Sequence, residues 1–116
     1  MTLLLRLENL ALCIAALIAY WHLGASWWLF ALFILAPDIS FAGYIAGSKF
    51  GAACYNLVHT WIAPALCAAL SLVFDWQTGL AIACVWAAHI GGDRALGYGL
   101  KRDTGFKDTH LGRIGG

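Results

Sequence analysis

Long apolar runs separated by short polar clusters set the character of this chain. They occupy 3–22, 26–46, 51–74 and 78–99. Each run is about 20 residues, the length an α-helix needs to cross a hydrocarbon core of about 30 Å. Turn-like pieces separate them: Leu23-Gly24-Ala25, the stretch 47–50, and Asp75-Trp76-Gln77. The apolar pattern then ends in a polar, glycine-rich segment, 100–116. This pattern predicts an all-α fold, a four-helix transmembrane bundle over 1–99 followed by a basic cytoplasmic tail. No internal repeat or low-complexity stretch divides it further.

Composition supports the same class. Of the 116 residues 62% are hydrophobic and 11% charged, and the mean hydropathy is +0.78, far from the balance of soluble domains. The formal net charge is +1, and the seven Lys and Arg residues are scattered, which excludes a nucleic-acid surface. The bilayer is the expected partner.

Charge placement predicts orientation. With four crossings, Arg6, Lys49, Lys101, Arg102, Lys107 and Arg113 fall on one side, and Arg94 lies near that end of the fourth run. The other two loops carry no Lys or Arg, so the positive-inside rule puts both termini in the cytoplasm. Tyr20, Trp21, Trp27, Trp28 and Trp76 would anchor the outer boundary as an aromatic belt. Arg6 before an apolar run, with Leu23-Gly24-Ala25 after it, imitates a signal peptide. Glu8 spoils the basic start, and removal would leave three helices, so the segment is read as a retained helix.

Asp38, His59, His89 and Asp93 interrupt these apolar runs. Ionisable groups at membrane depth are costly and face a bundle interior or wet cavity, which makes them functional candidates. Counting from the cytoplasmic helix ends puts Asp38 and His59 about 12 Å deep, His89 about 15 Å and Asp93 about 9 Å. Three runs thus deliver an acid or imidazole to one layer. His89 and Asp93 share a helix face, as do Tyr55, Asn56 and His59. Pro37 and Pro64 should free the carbonyls of Phe33 and Thr60 and kink their helices beside the layer.

Two imidazoles and two carboxylates form a donor set suited to Zn, Fe or Mn. As catalytic or ligating groups, Asp38, His59, His89 and Asp93 would make a metal-dependent or acid/base enzyme acting on a lipid or lipophilic substrate. Tyr55, Asn56 and Arg94 stand as supporting residues. The same groups would also serve a small proton or ion carrier, for which four helices call for a homodimer. In a third reading they only join helices by buried hydrogen bonds, in a structural or partner-binding protein. No HExxH or CxxC spacing selects among the three.

Gly43, Gly47 and Gly51 repeat at every fourth position, permitting close approach of another helix or a second copy. Gly47 and Gly51 read better as turn residues. The cysteines at 13, 54, 67 and 84 have no metal-type spacing and read as buried reduced thiols. Trp61 and Trp86 belong to packing or lipid contact. In the tail, Asp108 and His110 could fold over the bundle mouth with Phe106 and Leu111 buried; the favoured expectation is a solvated tail whose Lys101, Arg102, Lys107 and Arg113 meet anionic headgroups.

The stretch from His89, through Gly97-Tyr98-Gly99-Leu100-Lys101, to Thr109-His110-Leu111-Gly112 resembles the small bacterial integral membrane proteins grouped as domain of unknown function 4260. With the four-run layout, the resemblance covers nearly the whole chain. It implies a multi-pass protein of the bacterial inner (cytoplasmic) membrane and carries no catalytic assignment.

Overall fold

The computed structural model describes residues 2–100, 108–109 and 111–113. Helix α1 spans Thr2–Leu23 and α2 spans Trp27–Phe33. A 3₁₀ segment, Ala36–Ala46, follows. Helices α3 (Ser48–His59), α4 (Ile62–Val73) and α5 (Gln77–Ala95) complete the body. The architecture is all-helical apart from a two-residue hairpin, β1 (Asp108–Thr109) against β2 (Gly112–Arg113), antiparallel.

Two segments, Thr2–Leu23 and Trp27–Ala46, are long and apolar enough to cross a membrane, and α3 with α4 makes a third if that bent pair is one span. The expected fourth run behaves differently. Helix α5 lies outside that set and is the most enclosed helix, with Gly79, Ala81, Ala83, Val85, Ala88, His89, Ile90 and Gly91 buried. Its small residues let neighbours pack close: a Cβ on Gly91 would sit 2.8 Å from the Asn9 carbonyl oxygen of α1. Its modest apolarity follows from facing protein. Lipid-type side chains are instead exposed on the outer helices, among them Leu3, Leu32, Ile45, Leu57, Ile62 and Leu72.

Both prolines break their helices where kinks are expected. Helix α2 stops at Phe33, four residues before Pro37, and the 3₁₀ segment begins with Pro37 in its first turn. Likewise α3 stops at His59 and Thr60 is extended, so that α3 and α4 diverge by 41°. Pro64 then falls in the first turn of α4, where its missing N–H costs nothing and its ring avoids the clash with Thr60 that a continuous helix would impose.

Three sequence expectations are corrected here. Gly51 is no turn residue but a buried position inside α3, because a Cβ there would strike the Tyr44 ring. Gly47 is the turn, with φ of 115°, and Gly43 packs on Cys54 of the same chain. Tyr20 leaves the aromatic belt: it is fully buried, hydrogen-bonded to the Ser26 carbonyl and packed edge-on to Phe30. Trp21, Trp27, Trp28 and Trp76 are exposed. The solvated tail fails at Thr109, which is 2% exposed. His110 and the side chain of Asp108 lie outside the described residues.

Candidate metal centre

Three local devices deliver the four ionisable side chains. Pro37 starts the 3₁₀ segment, the Asp38 N–H closes its first turn on the Leu35 carbonyl at 3.0 Å, and Ser40 Oγ donates to the Pro37 carbonyl at 2.7 Å. His59 is the last residue of α3. His89 and Asp93 stand one helical turn apart on α5.

The break after His59 leaves carbonyls of the last α3 turn without helical partners. Helix α5 supplies them. Trp86 Nε1 donates to the Val58 carbonyl at 2.6 Å, and Arg94 Nη2 donates to the His59 carbonyl at 3.2 Å. Arg94 therefore fixes the backbone of one candidate ligand while its neighbour Asp93 supplies another. The His59 ring is further held by stacking on Tyr55, centroids 3.7 Å apart and 9° from parallel; Tyr55 in turn stacks on Phe41 at 5.3 Å.

One donor atom from each of Asp38, His59, His89 and Asp93 lies within 4.8 Å of all the others. His59 Nε2 is 3.2 Å from His89 Nε2, 3.3 Å from Asp38 Oδ1 and 3.7 Å from Asp93 Oδ2. His89 Nε2 is 3.1 Å from Asp38 Oδ1 and 3.2 Å from Asp93 Oδ2. Ligand atoms around a tetrahedral ion bonded at about 2.0–2.1 Å stand about 3.3–3.4 Å apart. Four of the six edges of this arrangement, at 3.1–3.3 Å, lie close to that value, and a fifth is 3.7 Å.

Tautomers sharpen the picture. His59 Nδ1 lies 2.8 Å from the Tyr55 carbonyl, and a carbonyl only accepts, so Nδ1 carries the hydrogen and the neutral ring turns a bare Nε2 inward. With His89 in the same tautomer, lone pairs of two nitrogens and two carboxylate oxygens converge. They repel one another unless a cation or shared protons lie among them. Both histidine side chains are 4% exposed, whereas Asp38 is 31% and Asp93 22%, so the cluster is closed on its imidazole side and accessible on its carboxylate side.

All four predicted site residues come together, and Tyr55 and Arg94 contact His59. Asn56 is half-buried on α3. Sequence reasoning missed Phe41 and the carbonyl-binding role of Trp86. The second had a visible signal: Trp86, His89 and Asp93 follow at helical spacing on α5. The cysteines are free and half-buried, Cys13 Sγ contacting the Ala88 carbonyl at 3.3 Å.

A family model described as Domain of unknown function (DUF4260) matches residues 2–114. Neither the curated proteins nor the solved structures compared give a match.

Proposed function

The chain belongs to this DUF4260 family, and from that premise we propose that it is a multi-pass protein of the bacterial cytoplasmic membrane holding one divalent metal ion between Asp38, His59, His89 and Asp93. In this reading α5 is the central crossing of a four-span bundle with both termini cytoplasmic, and the protein is a metal-dependent enzyme acting on a lipid or lipophilic substrate. Support comes chiefly from one observation: four ligand-type atoms converge within 4.8 Å at spacings suited to a tetrahedral ion. Two carboxylates balance a divalent charge, which lowers the cost of placing it at membrane depth. Zinc fits the spacing and the N/O donor set best, with iron and manganese as alternatives.

A bound zinc ion would act as a Lewis acid or lower the pKa of water. The residues divide the remaining work. His59 and His89, closed off from solvent, with His59 held through backbone carbonyls, would be the fixed ligands. Asp38 and Asp93, on the accessible side, are the groups able to release a coordination position to substrate and accept a proton. Elemental analysis of detergent-purified protein, prepared without chelator, tests the reading. One metal per chain, lost in a His59→Ala, His89→Ala double variant that keeps its helical content, is the expected result; background metal in the wild-type chain would sink it.

The runner-up is a proton or ion carrier. The 3.1 Å and 3.2 Å contacts from His89 to the two carboxylates are also lengths at which a shared proton would sit. Proton flux into proteoliposomes from metal-free protein would favour it.

A further inference from the structure

Beside the cluster, toward the amino-terminal end of α5, lies an apolar cavity of about 290 Å³ lined by Phe33, Ala36, Pro37, Val58, Ile82 and Trp86. Two of these residues are chain neighbours of cluster residues, Pro37 of Asp38 and Val58 of His59. The α5 wall continues into the cluster, because Ile82, Trp86, His89 and Asp93 succeed one another at helical spacing and form one stripe. Cavity and cluster are displaced by about 10 Å along α5. The one polar atom of Trp86 is already bonded to the Val58 carbonyl, which leaves its ring carbons to line the space.

We infer that this cavity holds the hydrocarbon tail of a single-chain lipid whose head oxygen reaches the metal. The inference rests on the metal-site reading above and names its substrate class. Volume limits the tail: the space is at the lower end of the about 300–1,000 Å³ usual for ligand pockets, which suits one chain and not two. Direction agrees as well. The tail would point along α5 away from the carboxylates, and the head would approach from the accessible Asp38 and Asp93 side, the amphiphile's own order of polarity.

A second groove, about 540 Å³ between α1, α4 and α5, serves as an internal control. Its lining, including Leu12, Trp61, Pro64 and Cys84, includes no chain neighbour of Asp38, His59, His89 or Asp93.

The probe is palmitic acid carrying a mid-chain diazirine, photolysed with the zinc-loaded full chain in detergent and mapped by peptide mass spectrometry. Label is expected on Val58, Ile82 or Trp86, displaced by unlabelled palmitate, with zinc content measured on the same sample. Stripping the zinc should lower labelling there about tenfold, the loss of one charged contact. An Ala36→Phe variant, which fills the cavity, should lose the label and keep the zinc. Label in the Leu12–Trp61 groove, or spread over lipid-facing residues such as Leu57 and Leu66, overturns the inference and leaves the metal reading standing. Labelling indifferent to zinc overturns it too. Zinc at background in the loaded sample overturns both together. Displacement and zinc dependence on the wild-type chain decide the matter even if the Ala36→Phe variant does not fold.

Discussion

Two faces of α5 treat buried polarity differently. Where α5 meets α1 and α4, polar atoms find complementary partners. Asn9 Nδ2 donates to the Leu5 carbonyl at 2.7 Å while its Oδ1 accepts from Trp61 Nε1 at 3.0 Å. Ser71 Oγ donates to the Cys67 carbonyl at 2.7 Å, and Cys67 Sγ reaches the Gly79 carbonyl at 3.5 Å. Where α5 meets α3 and the 3₁₀ segment, two imidazole nitrogens and two carboxylate oxygens crowd together within 4.8 Å. The first face is glue, complete in itself. The second needs a cation or shared protons among its four atoms. Burial of a polar side chain is therefore no sign of function; the hydrogen-bonding character of its neighbours discriminates.

The hardest blow to this contrast is removal of both imidazoles. His59→Ala with His89→Ala should reduce bound metal to background by elemental analysis while far-ultraviolet circular dichroism stays helical; retained metal would place the site elsewhere. Acid comes next. Metal binding requires neutral histidine, so affinity should fall as acid protonates the imidazoles. Metal-dependent thermal stabilisation should disappear over the same titration, and a pH-independent increment would contradict histidine ligation.

Arg94→Met should act at one remove. It frees the His59 carbonyl without touching the donor atoms, and should weaken metal binding about tenfold, the lower range for outer-sphere partners. Titration with zinc and a competing chelator would measure it, and an unchanged affinity would show that Arg94 does not position His59. Smallest is Asn9→Ala on the glue face, expected to lower stability by about 0.6 kcal/mol, typical of interhelical hydrogen bonds in membranes. Metal content should not move. A loss of metal from Asn9→Ala would erase the distinction between the two faces.

Much of the site was legible because its cost is local. An aspartate or histidine inside an apolar run is conspicuous whatever the fold, and helix rise put Asp38, His59, His89 and Asp93 near one depth. Helix periodicity paired His89 with Asp93 and His59 with Tyr55. Other features depend on partners far along the chain. Arg94 binds the His59 carbonyl across 35 positions and Trp61 binds Asn9 across 52; neither partner is identifiable from spacing. Tyr20 looked like an interfacial anchor by composition, yet the turn at Ser26 folds back to bury it. Gly51 looked like a turn residue, yet Tyr44 needs the space above it.

By itself, the sequence determined that the chain is helical and strongly apolar, that ionisable groups such as Asp38, His59, His89 and Asp93 interrupt its apolar runs, and that helices kink near Pro37 and Pro64. Hydropathy, helix rise and the missing proline N–H act within a few residues, so no knowledge of packing is required. Only the tertiary structure decided that α5 is the enclosed helix, that the proline kinks are full breaks, and that four donor atoms meet within 4.8 Å. Distances between helices are set by which small residues let which backbones approach, as at Gly91, and by which freed carbonyl finds which donor, as at His59. Such choices involve the whole packed molecule.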